Sequence, residues 1–213
     1  MKHFVVVAGN IAAGKTTLTQ RISERLGWEP FLESVAENPY LADFYRDMTR
    51  WSFHSQIFFL SRRLFHHRQL LIRPESVVQD RSVYEDAEIF ARNLFLQDKM
   101  TERDYQVYRD LYEAVVAVLP PPDLVVYLNT TVPTLESRIA RRGRDFEQNM
   151  EPGYLVQLNT LYEEWIDHFA LCPVLTVPTD SVDFAHNPDH LTLVINVMMD
   201  RLRGRQVISF PTP

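Results

Sequence analysis

The sequence has little cysteine, little glycine and no long hydrophobic run. Its single cysteine among 213 residues, Cys172, excludes an internal disulfide and suits a reducing compartment. We expect a cytoplasmic protein without a membrane segment, because no apolar run could span a bilayer and the N-terminus enters a predicted strand without a signal-peptide pattern. The net charge of −6 disfavours general binding to nucleic acid or to an anionic membrane. We predict one globular domain at residues 1–203 and a loose tail at 204–213.

Two of the six glycines bound the most informative stretch of the chain. This stretch consists of Gly9, Asn10, Ile11, Ala12, Ala13, Gly14, Lys15 and Thr16, and Thr17 follows it. It connects a predicted strand, Phe4 to Ala8, to a predicted helix, Thr17 to Leu26, as a phosphate-binding loop does. In such a loop the backbone N–H groups face a polyphosphate, Lys15 reaches its β- and γ-phosphates, and the Thr16 hydroxyl is available to Mg²⁺. The alternative is a purely structural turn.

Short apolar strands alternate with helices along the rest of the chain. Further strands are predicted at Trp28 to Leu32, Val77 to Gln79, Asp123 to Leu128 and Val174 to Val177. Helices are predicted at Ser34 to Met48, Trp51 to Ile72, Val83 to Leu96, Glu102 to Leu119, Val132 to Arg142, Gly153 to Phe169 and His190 to Leu202. This alternation predicts an α/β protein, a five-stranded parallel sheet with helices on both faces. Ligands of such sheets bind beyond the carboxyl ends of the strands.

Charged residues close two of the predicted strands at the same edge as the phosphate loop. Asp80 can hold Mg²⁺ directly or through water, and Arg81 can bind a phosphate or the attacking oxygen. Glu33 can accept a proton from a substrate hydroxyl. Taken alone, a surface ion pair would explain Asp80 and Arg81, and an exposed strand end would explain Glu33. Their position relative to the loop favours a common site.

A dense group of arginines stands out in this acidic protein. The group consists of Arg138, Arg141, Arg142 and Arg144. With Gly143 as a hinge, it predicts an arginine-rich lid at about residues 142–153 that closes over phosphates. The alternative is a solvated helix end, and nucleic-acid binding is disfavoured because no aromatic stripe accompanies the arginines.

The long helix carries two further patterns. Gln56, Phe59 and Arg63 share one face and could recognise a flat heterocycle, although core and rim positions also explain them. The apolar residues between Trp51 and Ile72 outnumber what one core face needs, which favours packing against a partner. His66 and His67 have no metal-site spacing and are interpreted as surface residues.

Together these motifs resemble the deoxynucleoside kinase family over most of the chain. The first matching motifs are the phosphate loop, Glu33, Tyr45 followed by Trp51-Ser52-Phe53, and Gln56. Next come Asp80-Arg81-Ser82-Val83-Tyr84 and Asp86. The last are Arg138-Ile139, Arg142-Gly143-Arg144 and Glu147, with Tyr154-Leu155 beyond. Many animal members carry Glu where this chain has Asp80, so the shorter carboxylate could reach a metal through water.

The resemblance implies a P-loop kinase fold that transfers the γ-phosphoryl of ATP to the 5′-hydroxyl of a deoxynucleoside in nucleotide salvage. It implies a catalytic set, which comprises Glu33 as the base, Arg81 at the 5′-oxygen and transferring phosphoryl, Lys15 and Arg142. It implies that the phosphate loop, Arg138, Arg142 and Arg144 bind the ATP phosphates. It also implies that Thr16 and Asp80 bind Mg²⁺. It implies an acceptor set, which comprises Tyr45 and Glu147 at the 3′-hydroxyl and Gln56, Phe59, Arg63 and Asp86 near the base. It also implies a homodimer joined through the long helices.

The base is predicted from side-chain chemistry. Arg63 suits purine O6 and N7 acceptors, and Asp86 suits an exocyclic amine. We therefore expect a purine, with deoxyadenosine ahead of deoxyguanosine and deoxycytidine next. Two alternatives remain open, a nucleoside monophosphate kinase and a non-catalytic nucleotide-binding subunit of the same fold. A carboxylate at Glu33 would repel a monophosphate acceptor, whereas Lys15, Glu33 and Arg81 are all present for catalysis.

Overall fold

Five parallel strands form one sheet in the order β2-β3-β1-β4-β5. The computed structural model describes residues 2–33, 37–144 and 152–204. The strands are β1 (Phe4–Gly9), β2 (Glu29–Phe31), β3 (Val77–Asp80), β4 (Leu124–Asn129) and β5 (Val174–Pro178). The predicted fold class is confirmed, and β1 lies at the centre of the sheet, so the phosphate loop leaves from its middle.

Helices cover both faces of the sheet. They are α1 (Lys15–Leu26), α2 (Leu41–Arg46), α3 (Met48–Ile72), α4 (Val83–Glu85), α5 (Arg92–Leu96), α6 (Glu102–Val116), α7 (Val132–Arg142), α8 (Pro152–His168) and α9 (Pro188–Arg203). A π-helical segment, Asp86–Ala91, lies between α4 and α5. The N-terminus of α3 is capped by Asp47, whose side chain accepts a hydrogen bond from the Arg50 N–H at 3.1 Å.

Successive residues of β1 point into two different cores. Phe4, Val6 and Ala8 belong to one buried cluster, which α3, α6 and α8 cover. Val5 and Val7 belong to a second cluster on the opposite face, which α1, α7 and α9 cover. A period of two along a strand that is buried on both sides produces the continuous apolar run from which β1 was predicted.

Two predicted helices differ from the observed elements. The helix predicted from Ser34 to Met48 is reduced to α2 and the start of α3 in the described part, where Asn38 instead accepts a hydrogen bond from the Tyr40 N–H at 3.0 Å. The helix predicted from Val83 to Leu96 contains the π-helical segment. Such segments are common at functional sites, because they shift side chains around the helix axis.

Several predictions fall on residues that the structure does not describe. Residues 145–151 of the predicted lid and residues 205–213 of the predicted tail lie outside the described ranges. The boundary of the domain at residue 203 stays a prediction. Within the described ranges, no helix is long and apolar enough to cross a membrane.

Candidate active site

The phosphate loop connects the carboxyl end of β1 to α1. Gly9 has φ 149°, and a Cβ at this position would lie 3.0 Å from the carbonyl oxygen of Leu128, so a side chain here would be both strained and crowded. Gly14, at φ 106°, is the N-cap of α1. The buried Lys15 amine donates to the Asn10 carbonyl at 2.9 Å. Burial and then the charge of Arg81 lower the pKa of Lys15 to about 8, and a bound polyphosphate would stabilise its charged form.

Asp80 lies beside the loop because β3 pairs in parallel with β1, with Val7 opposite Asp80. The Thr16 hydroxyl donates to Asp80 Oδ2 at 2.5 Å. Asp80 Oδ1 is buried and has no hydrogen-bond partner among the described residues, and burial raises the pKa of this carboxyl group. Carboxylate and hydroxyl oxygens are ligands that Mg²⁺ accepts, usually with substrate phosphates and water completing its shell. The two residues therefore fit a magnesium site.

Glu33 is held between two guanidinium groups. Arg81 Nε lies 3.0 Å from Glu33 Oε1, and Arg63 Nη2 donates to the same oxygen at 2.9 Å. Burial acts to raise the pKa of Glu33, but the charges of Arg81 and Arg63 outweigh it and lower the pKa to about 2. Glu33 is thus ionised at neutral pH and faces the cleft as a hydrogen-bond acceptor.

Arg63 uses all its N–H groups on the protein. Its Nε donates to Asp86 Oδ2 at 3.0 Å, and its Nη1 donates to the carbonyls of Asp80 and Arg81, both at 3.1 Å. Its Nη2 donates to Glu33 and, at 3.4 Å, to Asp86 Oδ1. The guanidinium thus ties α3 to the end of β3 and to the π-helical segment. Arg63 therefore positions Glu33 and Asp86, which differs from the expectation that it would read the base.

Arg81 has a backbone conformation that non-glycine residues seldom adopt, with φ 67°. Its N–H still donates to the Val7 carbonyl at 3.0 Å, and the chain turns out of the sheet directly afterwards. The guanidinium carbon lies 4.1 Å from the centre of the Phe90 ring, and Nη1 donates to the Tyr162 hydroxyl at 3.4 Å. Backbone strain at a single arginine that is held by a ring, a carboxylate and a hydroxyl is typical of a functional residue.

These groups share one open cleft at the carboxyl edge of the sheet. The predicted site residues that line it are Ile11, Ala12, Lys15, Thr16, Glu33, Tyr45, Gln56, Phe59, Asp80, Arg81, Asp86, Arg142 and Arg144. Residues far apart in sequence, from the loop at 9–16 to the end of α7, therefore meet in one place. Gln56 is buried, and its Oε1 has no partner among the described residues.

Outside residues 9–17, two of the predicted site residues that the structure describes do not line the cleft. Arg63 is behind Glu33, as described above. Arg138 Nη1 donates to the Ala13 carbonyl at 3.0 Å and its Nη2 to the Thr179 carbonyl at 2.9 Å, so in this structure Arg138 supports the back of the phosphate loop. Glu147 lies outside the described residues.

Sequence reasoning assigned no role in the site to six residues. Leu41, Phe44, Phe90 and Tyr154 line the cleft, and Glu85 and Tyr162 are buried directly behind it. Phe90 follows Asp86 by one helical turn, which is a signal that could have found it. Glu85 and Tyr162 are 77 positions apart in the chain, and no local pattern indicates their contact.

Comparisons with known proteins agree with this geometry. The family model for deoxynucleoside kinases matches residues 5–202. The chain is 36% identical over 204 residues to a deoxyadenosine/deoxycytidine kinase of Bacillus subtilis strain 168, an alignment that covers 95% of this chain and 94% of the relative. It is 34% identical over 189 residues to a deoxyguanosine kinase of the same organism, covering 86% and 90% of the two chains.

A solved structure agrees as well. The deoxyadenosine kinase of M. mycoides, determined with the products dCMP and dCDP, superposes with a TM-score of 0.83 at 31% identity, covering 92% of this chain and 98% of that one. With a family match over nearly its whole length, this chain belongs to the deoxynucleoside kinase family of ATP-dependent phosphotransferases.

Proposed function

We propose that this kinase prefers deoxyadenosine and that Glu33 is the base for its 5′-hydroxyl. Glu33 is ionised, faces the cleft and is fixed by two arginines, and these contacts are the observation that carries the proposal. A pKa of about 2 makes Glu33 a weak base. A phosphoryl-transfer transition state is loose and needs little nucleophile activation, so an ionised acceptor that orients the hydroxyl and takes its proton late is sufficient.

Arg81 and Lys15 would stabilise the charge of the transferring group. Both are buried cations at the carboxyl edge of the sheet, where their charges are screened little by water. Mg²⁺, held by Thr16 and Asp80, would neutralise phosphate charge in the bound donor. Arg142 and Arg144 line the same cleft and would contact the donor phosphates. Tyr45 also lines the cleft and, with Glu147, would bind the 3′-hydroxyl.

The base preference rests on which polar atoms remain available. Gln56 Oε1 is buried and has no hydrogen-bond partner among the described residues. The Asp86 carboxylate borders the cleft. Both are acceptors and suit an exocyclic amine, which adenine offers and thymine lacks. The N–H groups of Arg63 are used within the protein, so guanine O6 loses the donor that the sequence suggested. This supports deoxyadenosine ahead of deoxyguanosine.

The known relatives include enzymes for several bases. Deoxyadenosine, deoxycytidine and deoxyguanosine appear in the names of the Bacillus subtilis enzymes, and dCMP is bound in the M. mycoides deoxyadenosine kinase. Deoxycytidine also carries an exocyclic amine and is the natural competitor for this cleft.

The deciding experiment measures kcat/KM with Mg·ATP for each of the four deoxynucleosides, with the matching monophosphates as controls. The highest value for deoxyadenosine would support the proposal. A higher value for deoxyguanosine or a pyrimidine would keep the reaction and reject the base preference. Transfer to monophosphates alone would reject Glu33 as the base for a hydroxyl.

We also propose a homodimer through the long helices. Phe58, Phe65 and Ile72 recur every seven residues on α3, and Phe65 and Ile72 are 48% and 81% exposed. The adjacent helix α6 exposes Val107 and Leu111. A second copy of the chain would cover these apolar side chains. Sedimentation analysis should give twice the monomer mass for the native chain and a monomer for Phe65→Glu.

A further inference from the structure

Glu85 is fully buried between the phosphate loop and the end of β3. Its Oε1 accepts a hydrogen bond from the Gly9 N–H at 3.2 Å, and its Oε2 accepts from the Ser82 N–H at 2.8 Å and the Ser82 hydroxyl at 3.0 Å. Because Ser82 follows Arg81 directly, one carboxyl group bridges the first glycine of the loop and the turn that presents Arg81. Neither the proposed reaction nor the magnesium site uses this side chain.

The contacts of the Tyr162 hydroxyl indicate whether Glu85 carries a proton. Its oxygen lies 2.8 Å from the Gly9 carbonyl oxygen and 2.8 Å from Glu85 Oε1. A tyrosine carries one hydroxyl proton, whereas a carbonyl and an ionised carboxylate carry none. Two close oxygen contacts therefore share one proton unless Glu85 Oε1 brings a second. With a proton on Oε1, Glu85 donates to Tyr162, Tyr162 donates to Gly9, and both contacts become hydrogen bonds.

The charges of the site lead to the same conclusion. Its three buried cations, Lys15, Arg63 and Arg81, face three carboxylates, Glu33, Asp80 and Asp86. Glu85 forms no ion pair with any residue in ranges 2–33, 37–144 and 152–204, since no cationic nitrogen there lies within the 4.0 Å limit of a salt bridge. A fourth buried negative charge would have no matching buried cation among the residues that the structure describes, and unmatched buried carboxyls usually take up a proton.

The titratable groups that interact with Glu85 come from four elements. They are Lys15 from α1, Arg81 from the end of β3, Tyr127 from β4 and Tyr162 from α8. Burial raises the pKa of Glu85, and the positive charges of Arg81 and Lys15 oppose this without reversing it. Geometry, charge balance and environment thus agree on a protonated side chain.

We propose that Glu85 is a neutral positioning residue, which ties the phosphate loop to Arg81 through Tyr162. Glu85 holds the N–H of Gly9, and Tyr162 holds its carbonyl while accepting a hydrogen bond from Arg81 Nη1 at 3.4 Å. The phosphate loop and Arg81 are therefore held in a fixed position relative to each other. A neutral acid does this without placing a negative charge that would compete with phosphates for Arg81. The inference rests on the proposed role of Arg81.

A direct test observes the proton by NMR. Protein labelled with ¹³C at glutamate side-chain carboxyls is compared with Glu85→Gln, so that the missing resonance assigns Glu85. At pH 7 we expect the chemical shift of a protonated acid, unlike that of surface glutamates. The shift of an ionised carboxylate at pH 7 would overturn the proposal. This readout needs no turnover, so it stands apart from any failure of the proposed base preference or of Glu33 as a base.

Kinetics test the positioning role with matched variants. Glu85→Gln keeps a neutral donor toward Tyr162 and should lower kcat only about fivefold, the cost of one weakened hydrogen bond. Tyr162→Phe removes both ends of the link and should lower kcat about tenfold or more, with KM for the deoxynucleoside little changed. Glu88 pairs with Arg109 and lies in the π-helical segment that follows Glu85, so Glu88→Gln is the control and should behave as the native enzyme.

Two outcomes would contradict the positioning role. A loss of more than about a hundredfold in Glu85→Gln would mean that the site needs a negative charge. A native kcat in Tyr162→Phe would mean that no link through Tyr162 matters for turnover.

Discussion

On the acceptor side of the cleft, Arg63 donates to Glu33, to Asp86 and to two backbone carbonyls, and every guanidinium N–H is used. On the phosphate side, Asp80 Oδ1 is buried without a partner in the described part of the chain. Among the described residues, the Lys15 amine there donates only to the Asn10 carbonyl of its own loop. Both regions lie at the ends of the same parallel strands, yet their polar atoms are used very differently.

The difference follows from what each side binds. A hydroxyl acceptor is neutral and offers little binding energy, so the carboxylate that orients it is fixed in advance by the protein. A polyphosphate and its metal carry several charges. In the free enzyme a group that would bind them, Asp80 Oδ1, lacks a hydrogen-bond partner among the described residues, which costs free energy until the ligand binds. Around the attacking hydroxyl the acceptor side is preorganised, whereas the phosphate side at Asp80 and the base end of the acceptor side at Gln56 are completed by their ligands.

The largest expected effect is that of Glu33→Gln. The amide keeps the shape of the side chain but cannot take the proton or orient the hydroxyl as an ionised acceptor, so kcat should fall about 10²-fold, the low end of the range for general-base assistance because Glu33 is a weak base. Deoxynucleoside binding, measured by calorimetry without ATP, should change little. Turnover at the native rate would remove Glu33 from its proposed role, and loss of binding together with rate would show that Glu33 only holds the substrate.

Next in size is Arg63→Lys, which keeps a positive charge but loses the planar set of donors. Glu33 and Asp86 would shift, and a displacement of about 1 Å at a reacting group can cost about 10²-fold in rate. The control is Arg62→Lys, a neighbour that pairs with Glu37 outside the cleft and is 38% exposed. Equal kcat values for the two variants would show that the acceptor side is not preorganised by Arg63.

Asp80→Asn tests the phosphate side and should have a smaller effect at saturating metal. The amide retains one oxygen but loses the charge, so the Mg²⁺ concentration that gives half-maximal rate should rise about tenfold or more. Thr16 can still donate to the amide oxygen, which keeps the loop in place. An unchanged Mg²⁺ requirement would mean that Asp80 does not support the metal.

Sequence patterns predicted the parts of the site that follow from the sheet. Thr16, Glu33 and Asp80 were expected together because parallel strands end at one edge, and the structure brings them together. The use of Arg63 could not be predicted, because its partners come from the ends of β2 and β3 and from the π-helical segment, 17 to 30 residues away in sequence. The spacing of Phe90 from Asp86 could have placed it near the cleft, but its contact with Arg81 joins the π-helical segment to the end of β3, and no local pattern indicates that contact.

His67 shows why an unpartnered buried atom alone does not indicate a binding site. Its Nε2 has no partner among the described residues, as Asp80 Oδ1 has none, but the ring packs edge-on against Phe4 in the core. The sequence-based interpretation of His67 as a surface residue is wrong. Adjacent residues on a helix point about 100° apart, so His66 can be half-buried at the surface while His67 faces inward.

The smallest expected effect comes from His67, and it is an effect on stability rather than on activity. Burial lowers the pKa of His67 from 6.5 to about 4, so the unfolded chain binds a proton more tightly than the native protein. Stability should fall as the pH drops from about 6.5 towards 4, by on the order of 2 kcal/mol from this residue. Urea unfolding at pH 7 and pH 4.5 should show a smaller difference for His67→Phe than for the native chain, whereas the exposed His168→Phe should match the native difference. An equal acid sensitivity in all three proteins would mean that His67 takes up a proton without unfolding. The ring of His67 would then be open to water in the native protein, and the contrast between core and cleft would fail.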